Sequence, residues 1–239
     1  MESLKSHADF VQNVFHRVAN KYDLMNDLMS FGIHRIWKRK FIHRLSILPD
    51  ARYVDVAAGT GDISRLIYKE VVRHGLIPNI VAIDPNESML QRGKAKFIDQ
   101  GILNGIDWVH AAAETLPLED NSVDAITISF GLRNVSDISK ALNEFNRVLK
   151  PGGQFLCLEF SRVQHKSLRM LYSMYSSKII PRLGKIIVND SQSYKYLIDS
   201  IQCFPDQEAL KSMIESAGFR TVSYTNLSDG VVAIHEGWK

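Results

Sequence analysis

From Arg52 to Ser161 short apolar runs alternate with longer amphipathic segments, and this alternation constrains the chain more than any other feature. An apolar run of this length bounded by turn residues reads as a buried strand, and repeated strand–helix alternation reads as βαβ units around a parallel sheet. Strands are expected at Tyr53 to Ala57, Ile80 to Asp84, Asp107 to Ala111, Ala125 to Phe130 and Phe155 to Phe160. The intervening periodicity predicts helices over Ile63 to Val72, Ser88 to Asp99 and Ile138 to Leu149, the last ended by the Pro151-Gly152-Gly153 turn. The fold expected is α/β, a Rossmann-like sheet in a single domain.

Two flanks are not needed by that sheet. Phe10, Val14 and Val18, then Ile33, Trp37, Phe41 and Leu45, recur at helical spacing and predict an N-terminal helical extension over residues 1–48. Residues 162–204, rich in Met, Tyr, Ile and Lys, read as a helical insertion and the natural candidate for a lid. A helix over Gln207 to Ser216, a Gly218 stop and a strand pair at Thr221 to Asn226 and Val231 to His235, joined by Ser228-Asp229-Gly230, close the chain.

Composition narrows the function classes. At 239 residues, 45% hydrophobic and 23% charged, the chain suits one sizeable core. A net charge of +3 is too small to make nucleic acid the expected partner. Cys157 and Cys203 lie far apart with no CxxC spacing, so no metal site is expected and a reduced, cytoplasmic setting fits best. No window approaches the ~18 consecutive apolar residues of a membrane span, so any membrane contact is expected to be peripheral, at the inner face.

The chemistry starts at Asp55-Val56-Ala57-Ala58-Gly59-Thr60-Gly61-Asp62, between the first strand and the first helix. Ligands of doubly wound sheets bind at the carboxyl ends of the strands, where Gly59 and Gly61 let the backbone turn sharply and approach closely. Asp84, ending strand two, stands where ribose hydroxyls of a nucleotide would lie. A dinucleotide enzyme is the competing reading. Against it, Ser64 replaces the third glycine of the fingerprint, and Asp62 opens the helix where a pyrophosphate would sit. A carboxylate there repels phosphate but suits the ammonium of a methionine moiety, and Thr60 is either a turn residue or a hydroxyl contact to the donor's carboxylate.

This pattern resembles the class I methyltransferases, which implies S-adenosylmethionine as methyl donor. The resemblance places the methionine part on Asp55 and the loop Gly59, Thr60 and Gly61, the ribose on Asp84, adenine near Ala112, Ala113 and Glu114, and the sulfonium above Ser129. Other readings of the acids stay open: Asp55 as a capping or buried structural acid, Glu114 as a cap of the Thr115-Leu116-Pro117 turn. Ala112 departs from the class, where a polar side chain is common.

Two further stretches are more specific. Tyr22-Asp23-Leu24-Met25-Asn26-Asp27-Leu28-Met29-Ser30, continuing to His34 and Trp37, and Arg147 to Gly153 running on through Leu158-Glu159-Phe160-Ser161, resemble the UbiE-type C-methyltransferases of ubiquinone and menaquinone biosynthesis. So does Ile128-Ser129-Phe130-Gly131-Leu132-Arg133-Asn134. The resemblance implies methylation of a ring carbon of a polyprenylated benzoquinol, a demethylmenaquinol, or both; the partners expected are that hydrophobic quinol, a peripheral membrane contact, and a homodimer or quinone-synthesis complex, the sequence leaving the oligomeric state open. Only the reduced ring, on losing a phenolic proton, is electron-rich at carbon. A phenol of pKa near ~10 needs a fixed cation to ionise at neutral pH. Arg133 is the candidate, with Asn134 orienting a water; the bland alternative is that Arg133 pairs with Asp137 on the next helix. Tyr22 and His34 cover donor or quinol, or are ordinary core. Leu168, Leu171, Met174, Tyr175, Ile179 and Ile180 are likewise either core or the wall of a prenyl channel. Methylation of another lipid, and a donor-binding scaffold without catalysis, are the competing functions.

Overall fold

The computed structural model describes residues 32–165 and 191–239. Within them the chain runs α1 (His34–Ile42), β1 (Tyr53–Val56), α2 (Asp62–Arg73), β2 (Ile80–Asp84), α3 (Glu87–Asp99), β3 (Ile106–His110), β4 (Val123–Ser129), a 3-10 turn (Leu132–Asn134), α4 (Ile138–Val148), β5 (Leu149–Phe160), α5 (Ser191–Cys203), α6 (Gln207–Ser216), β6 (Arg220–Leu227) and β7 (Val232–Trp238). The sheet order is β3-β2-β1-β4-β5-β7-β6. The first five strands are parallel, and β7 runs antiparallel between β5 and β6.

Strand alternation sends successive side chains to opposite faces, and each face has its own core. Tyr53, Ile80, Ala125 and Leu156 pack with Trp37 and Phe41 of α1 and Ile63, Ile67 and Val71 of α2. Val54, Val81, Ile126 and Phe155 pack with Leu142 and Phe145 of α4 and Leu210 and Ile214 of α6. Side-chain caps start three of the helices: Asn86 accepts from Met89 N, Asp137 from Lys140 N and Asp206 from Ala209 N.

The sheet departs from expectation at one place. Pro151-Gly152-Gly153 does not separate α4 from the strand, because β5 already begins at Leu149. Leu149 pairs with Val123 and Gln154 with Ala125, so Lys150 to Gly153 bulge out opposite Asp124. Lys150 Nζ holds both Asp124 carboxylate oxygens there, at 2.9 and 2.8 Å.

Of the expected extension, α1 is described. Trp37, Phe41 and Leu45 are buried, whereas Ile33, read as part of the same stripe, is 40% exposed. Trp37 Nε1 donates to Ser228 Oγ of the β6–β7 turn at 3.0 Å, and Gln154 accepts from Ser46 N, so α1 is tied to both ends of the sheet. Phe10, Val14, Val18 and the Tyr22 to Ser30 motif lie outside the described residues, as do Leu168, Leu171, Met174, Tyr175, Ile179 and Ile180. Helix α5 falls inside the expected insertion.

Candidate active site

Strand β1 sits between β2 and β4, so the chain leaves it in opposite directions and a crevice opens at its carboxyl end. Ala57 after β1 (φ 53°) and Phe130 after β4 (φ 54°) both adopt the left-handed region without being glycine. Such conformations cost on the order of 1 kcal/mol each and persist where surrounding structure imposes them. Gly131 lets the two turns meet: a Cβ there would lie 2.4 Å from Ala57 Cβ.

Gly59 (φ 55°) and Gly61 (φ 79°) give the loop its two left-handed turns, and Gly61 also lies against an aromatic pair. A Cβ on Gly61 would come within 2.6 Å of Trp108 and 2.9 Å of Phe97. The loop is fastened by carboxylates. Asp84 accepts from Gly59 N and Asn86 N, both at 2.8 Å. Asp55 accepts from Ser64 N at 2.9 Å, Ser64 Oγ at 2.6 Å and Thr127 Oγ1 at 3.0 Å, stapling the first turn of α2 to β1 and β4. Burial pushes both acids up to about 6, and their hydrogen bonds offset part of that rise.

A cavity in the crevice is lined by Lys38, Asp55, Gly59, Thr60, Asp62 and Ser129, among others. Asp62 is not a bare charge: Lys38 Nζ donates to it at 3.0 Å. Burial would raise the Asp62 pKa, but Lys38, then Lys96 and Arg65, hold it below the usual carboxylate range. The repulsion expected between Asp62 and a phosphate is therefore partly cancelled. Thr60 Oγ1 accepts from Lys96 Nζ at 3.1 Å.

Beyond β3, Ala112 is exposed and its carbonyl accepts from Thr115 N, and Ala113 is buried. Glu114 does not cap the Thr115-Leu116-Pro117 turn. Its Oε1 accepts from Ser136 N and Asp137 N, while Glu144 takes Leu116 N. His34 is buried at the start of α1.

On the other side of the crevice Arg133 is held by a residue that local reading missed. Its Nη1 donates to Glu159 Oε1 at 2.7 Å and to the Phe130 carbonyl at 2.6 Å. The ion pair is buried, with Arg133 5% and Glu159 1% exposed, and the guanidinium lies 5.3 Å from the Phe160 ring centre. Asp137, the partner considered for Arg133, caps α4 instead. Asn134 Oδ1 accepts from Tyr196 Oη of α5 at 3.0 Å. Desolvation raises the Tyr196 pKa, Arg133 lowers it and Glu159 raises it, so all three groups share one environment.

Buried polar atoms without a protein partner gather at this rim. Among the described residues six are found, and three of them, Ser129 Oγ, Arg133 Nε and Ser161 Oγ, follow or end β4 and β5. A native buried donor is left unpaired at a cost of about 1–3 kcal/mol, so such a cluster marks a surface shaped for something polar.

The sequence signals for the missed residues differ. Glu159 sits in a quoted motif and shares a face of β5 with Cys157, but nothing local aims it at Arg133. Lys38 lies four residues past His34, one helical turn away.

Known proteins place the chain firmly. A model described as the ubiE/COQ5 methyltransferase family matches residues 1–239. A Shewanella sp. (strain ANA-3) protein named ubiquinone/menaquinone biosynthesis C-methyltransferase UbiE is 51% identical over 232 residues, covering 97% of this chain and 91% of its own length. A namesake from Shewanella baltica (strain OS155) is 50% identical with the same coverage. Among solved structures, a SAM-dependent methyltransferase of Thermotoga maritima superposes with TM-score 0.63 at 21% identity, covering 95% of this chain and 99% of that one. One from Aquifex aeolicus gives TM-score 0.61 at 18% identity, over 84% and 88%. These last two speak to the Rossmann-like methyltransferase fold alone.

Proposed function

The chain belongs to the ubiE/COQ5 methyltransferase family, and from that premise we propose that it transfers a methyl group from S-adenosylmethionine to a ring carbon of a polyprenylated quinol. The observation that carries the reading is the unpartnered Ser129 hydroxyl lining one cavity with the acid-fastened loop, with the unpartnered Arg133 Nε on the turn that follows the same strand.

The donor's chemistry fits the residues present. When bound, its sulfonium supplies an electrophilic methyl. Asp84 has used two of roughly four lone-pair sites on backbone N–H groups, which leaves acceptor capacity for a ribose hydroxyl pair. Ser129, at the end of β4, has a buried hydroxyl without a protein partner beside the loop.

The acceptor ring is the oxygen-bearing partner that the opposite rim lacks. The Nε–H of the Arg133 guanidinium is a buried donor whose natural acceptor is the phenolic oxygen. Stabilising the oxygen as it loses its proton pushes electron density onto the adjacent carbon, the nucleophile. Glu159 neutralises part of the guanidinium field, so the contribution of Arg133 is directional hydrogen bonding to a developing oxyanion more than bulk charge. Asn134, oriented by Tyr196, positions a water that removes the proton. The prenyl tail brings the protein to the membrane as a peripheral enzyme; no helix among the described residues is long and apolar enough to cross one.

Methyl transfer should be assayed anaerobically with labelled S-adenosylmethionine and a chemically reduced short-chain quinol, with a fatty acyl lipid and the oxidised quinone as controls. Label is expected in the quinol alone. Equal labelling of the oxidised quinone, or label in the lipid alone, would end the quinol reading.

A further inference from the structure

Lys38 is a lysine in a place that needs a reason. Its side chain is 10% exposed, it lines the cavity of the glycine loop, and its ammonium lies 3.0 Å from Asp62, the residue that opens α2. Burying the cation costs several kcal/mol by desolvation, and one contact with Asp62, whose side chain is 31% exposed, seldom returns all of it. The helix that delivers Lys38 is not part of the sheet, yet it is clamped there by Trp37, bonded to Ser228 and packed at 6.4 Å against the Phe130 ring.

We propose that Lys38 and Asp62 together form the receptor for the α-amino-acid head of the methyl donor, Lys38 binding its carboxylate and Asp62 its ammonium. This rests on the reading of the crevice as a donor site. An ammonium has three donors and a carboxylate about four lone-pair sites, so both members can take a ligand group without releasing each other. A zwitterion whose ammonium and carboxylate are attached to one carbon matches a cation and anion held in contact. The pair therefore keeps each charge compensated before the ligand arrives and pre-orders the site for it. A nucleoside lacking the amino-acid end gains nothing from the pair. Helix α1 thus becomes part of the donor site, and residues preceding the sheet contribute to selecting the ligand.

The test uses the full chain, calorimetry, and two ligands that share the nucleoside: S-adenosylhomocysteine, which has the amino-acid head, and 5′-methylthioadenosine, which lacks it. Lys38→Met is expected to weaken S-adenosylhomocysteine about tenfold or more while leaving 5′-methylthioadenosine within about twofold, since one charge-assisted bond is lost from one ligand only. Lys38→Arg should restore most of the loss. On the wild-type protein, S-adenosylhomocysteine stripped of its carboxylate should bind about tenfold more weakly than the intact ligand, an arm that requires no variant to fold. Equal affinities for those two ligands, or equal losses for both nucleosides in Lys38→Met, would overturn the role of Lys38. Failure of the wild-type protein to bind either nucleoside would instead overturn the donor reading itself.

Discussion

The two rims of the crevice are built on opposite plans. On the donor rim every acid is already engaged: Asp84 with Gly59 and Asn86, Asp55 with Ser64 and Thr127, Asp62 with Lys38. On the acceptor rim Arg133 and Ser161 each keep a buried polar atom without a protein partner, and Ser129, between the two rims, does the same. A pre-fastened loop loses little order when its ligand binds, whereas the acceptor rim keeps donors in reserve for an oxygen that gains charge during reaction.

The largest effect should come from separating structure and chemistry at Arg133. Arg133→Ala leaves the Glu159 carboxylate buried without its cation, which typically costs about 3–5 kcal/mol of stability. It should also lower turnover on the order of 100-fold or more with little change in donor affinity. Adding Glu159→Gln to Arg133→Ala removes the stranded charge while its amide oxygen still accepts from Phe160 N. Stability should recover in the double variant and turnover should not. Should turnover recover with stability, Arg133 is a structural partner of Glu159 and no more.

The same contrast explains what could be read from the chain alone. Strand positions, the loop glycines, Asp55 and Asp84 are legible because they sit at strand ends and in the glycine turn that periodicity and turn chemistry mark, although their partners were not: Gly59 is 25 residues from Asp84 and Thr127 is 72 from Asp55. The acceptor rim depends on contacts 26 residues apart for Arg133 and Glu159 and 62 for Asn134 and Tyr196, while Trp37 reaches Ser228 across 191. Periodicity and turn chemistry act over a helical turn or a hairpin and cannot specify which distant side chain completes a pair. Asp137 seemed the natural partner of Arg133 because it is close in the chain, but as the N-cap its carboxylate was already committed to Lys140 N.

A middle-sized effect tests whether the donor loop is rigid by packing or only by its hydrogen bonds. Gly61→Ala drives a methyl into Trp108 and Phe97, which meet edge to face with ring centres 5.1 Å apart and cannot both yield. Overpacking of this kind typically costs about 1–3 kcal/mol, with the positive φ of 79° adding strain. Gly59→Ala meets only the mobile end of Met89 at 3.4 Å and should lose about 1 kcal/mol, mainly from its backbone. Thermal melting should order the variants wild type, Gly59→Ala, Gly61→Ala. Equal melting temperatures for the two would show that φ, not the aromatic pair, limits the loop.

The smallest effect is a pH dependence whose two halves have opposite signs. Asp84 is raised to about 6 by burial, against 3.8 in an unfolded chain. Between those values the folded protein holds more protons than the unfolded one. The contribution of Asp84 to stability is therefore full at the acid end, declines as pH rises through the window and is gone above about 6; buried Asp55, raised likewise, adds in the same direction. Donor binding runs the other way. Ribose hydroxyls donate to the carboxylate and gain little from the neutral acid, so affinity for S-adenosylhomocysteine should fall as pH drops through about 6. Between pH 7 and 5 the ionised fraction of a group titrating there falls about tenfold, and the dissociation constant should rise by up to the same factor. His110, which draws the Asp84 pKa down, faces the same carboxylate, so the assignment needs Asp84→Asn. That variant should bind more weakly at pH 7 and show a flat profile down to pH 5; its single amide oxygen can accept from Gly59 N or Asn86 N but not from both, so some stability is lost with it. A profile that stays steep in Asp84→Asn would move the titration to Asp55, the other acid raised to about 6, and a flat wild-type profile would mean that the ribose does not rest on Asp84.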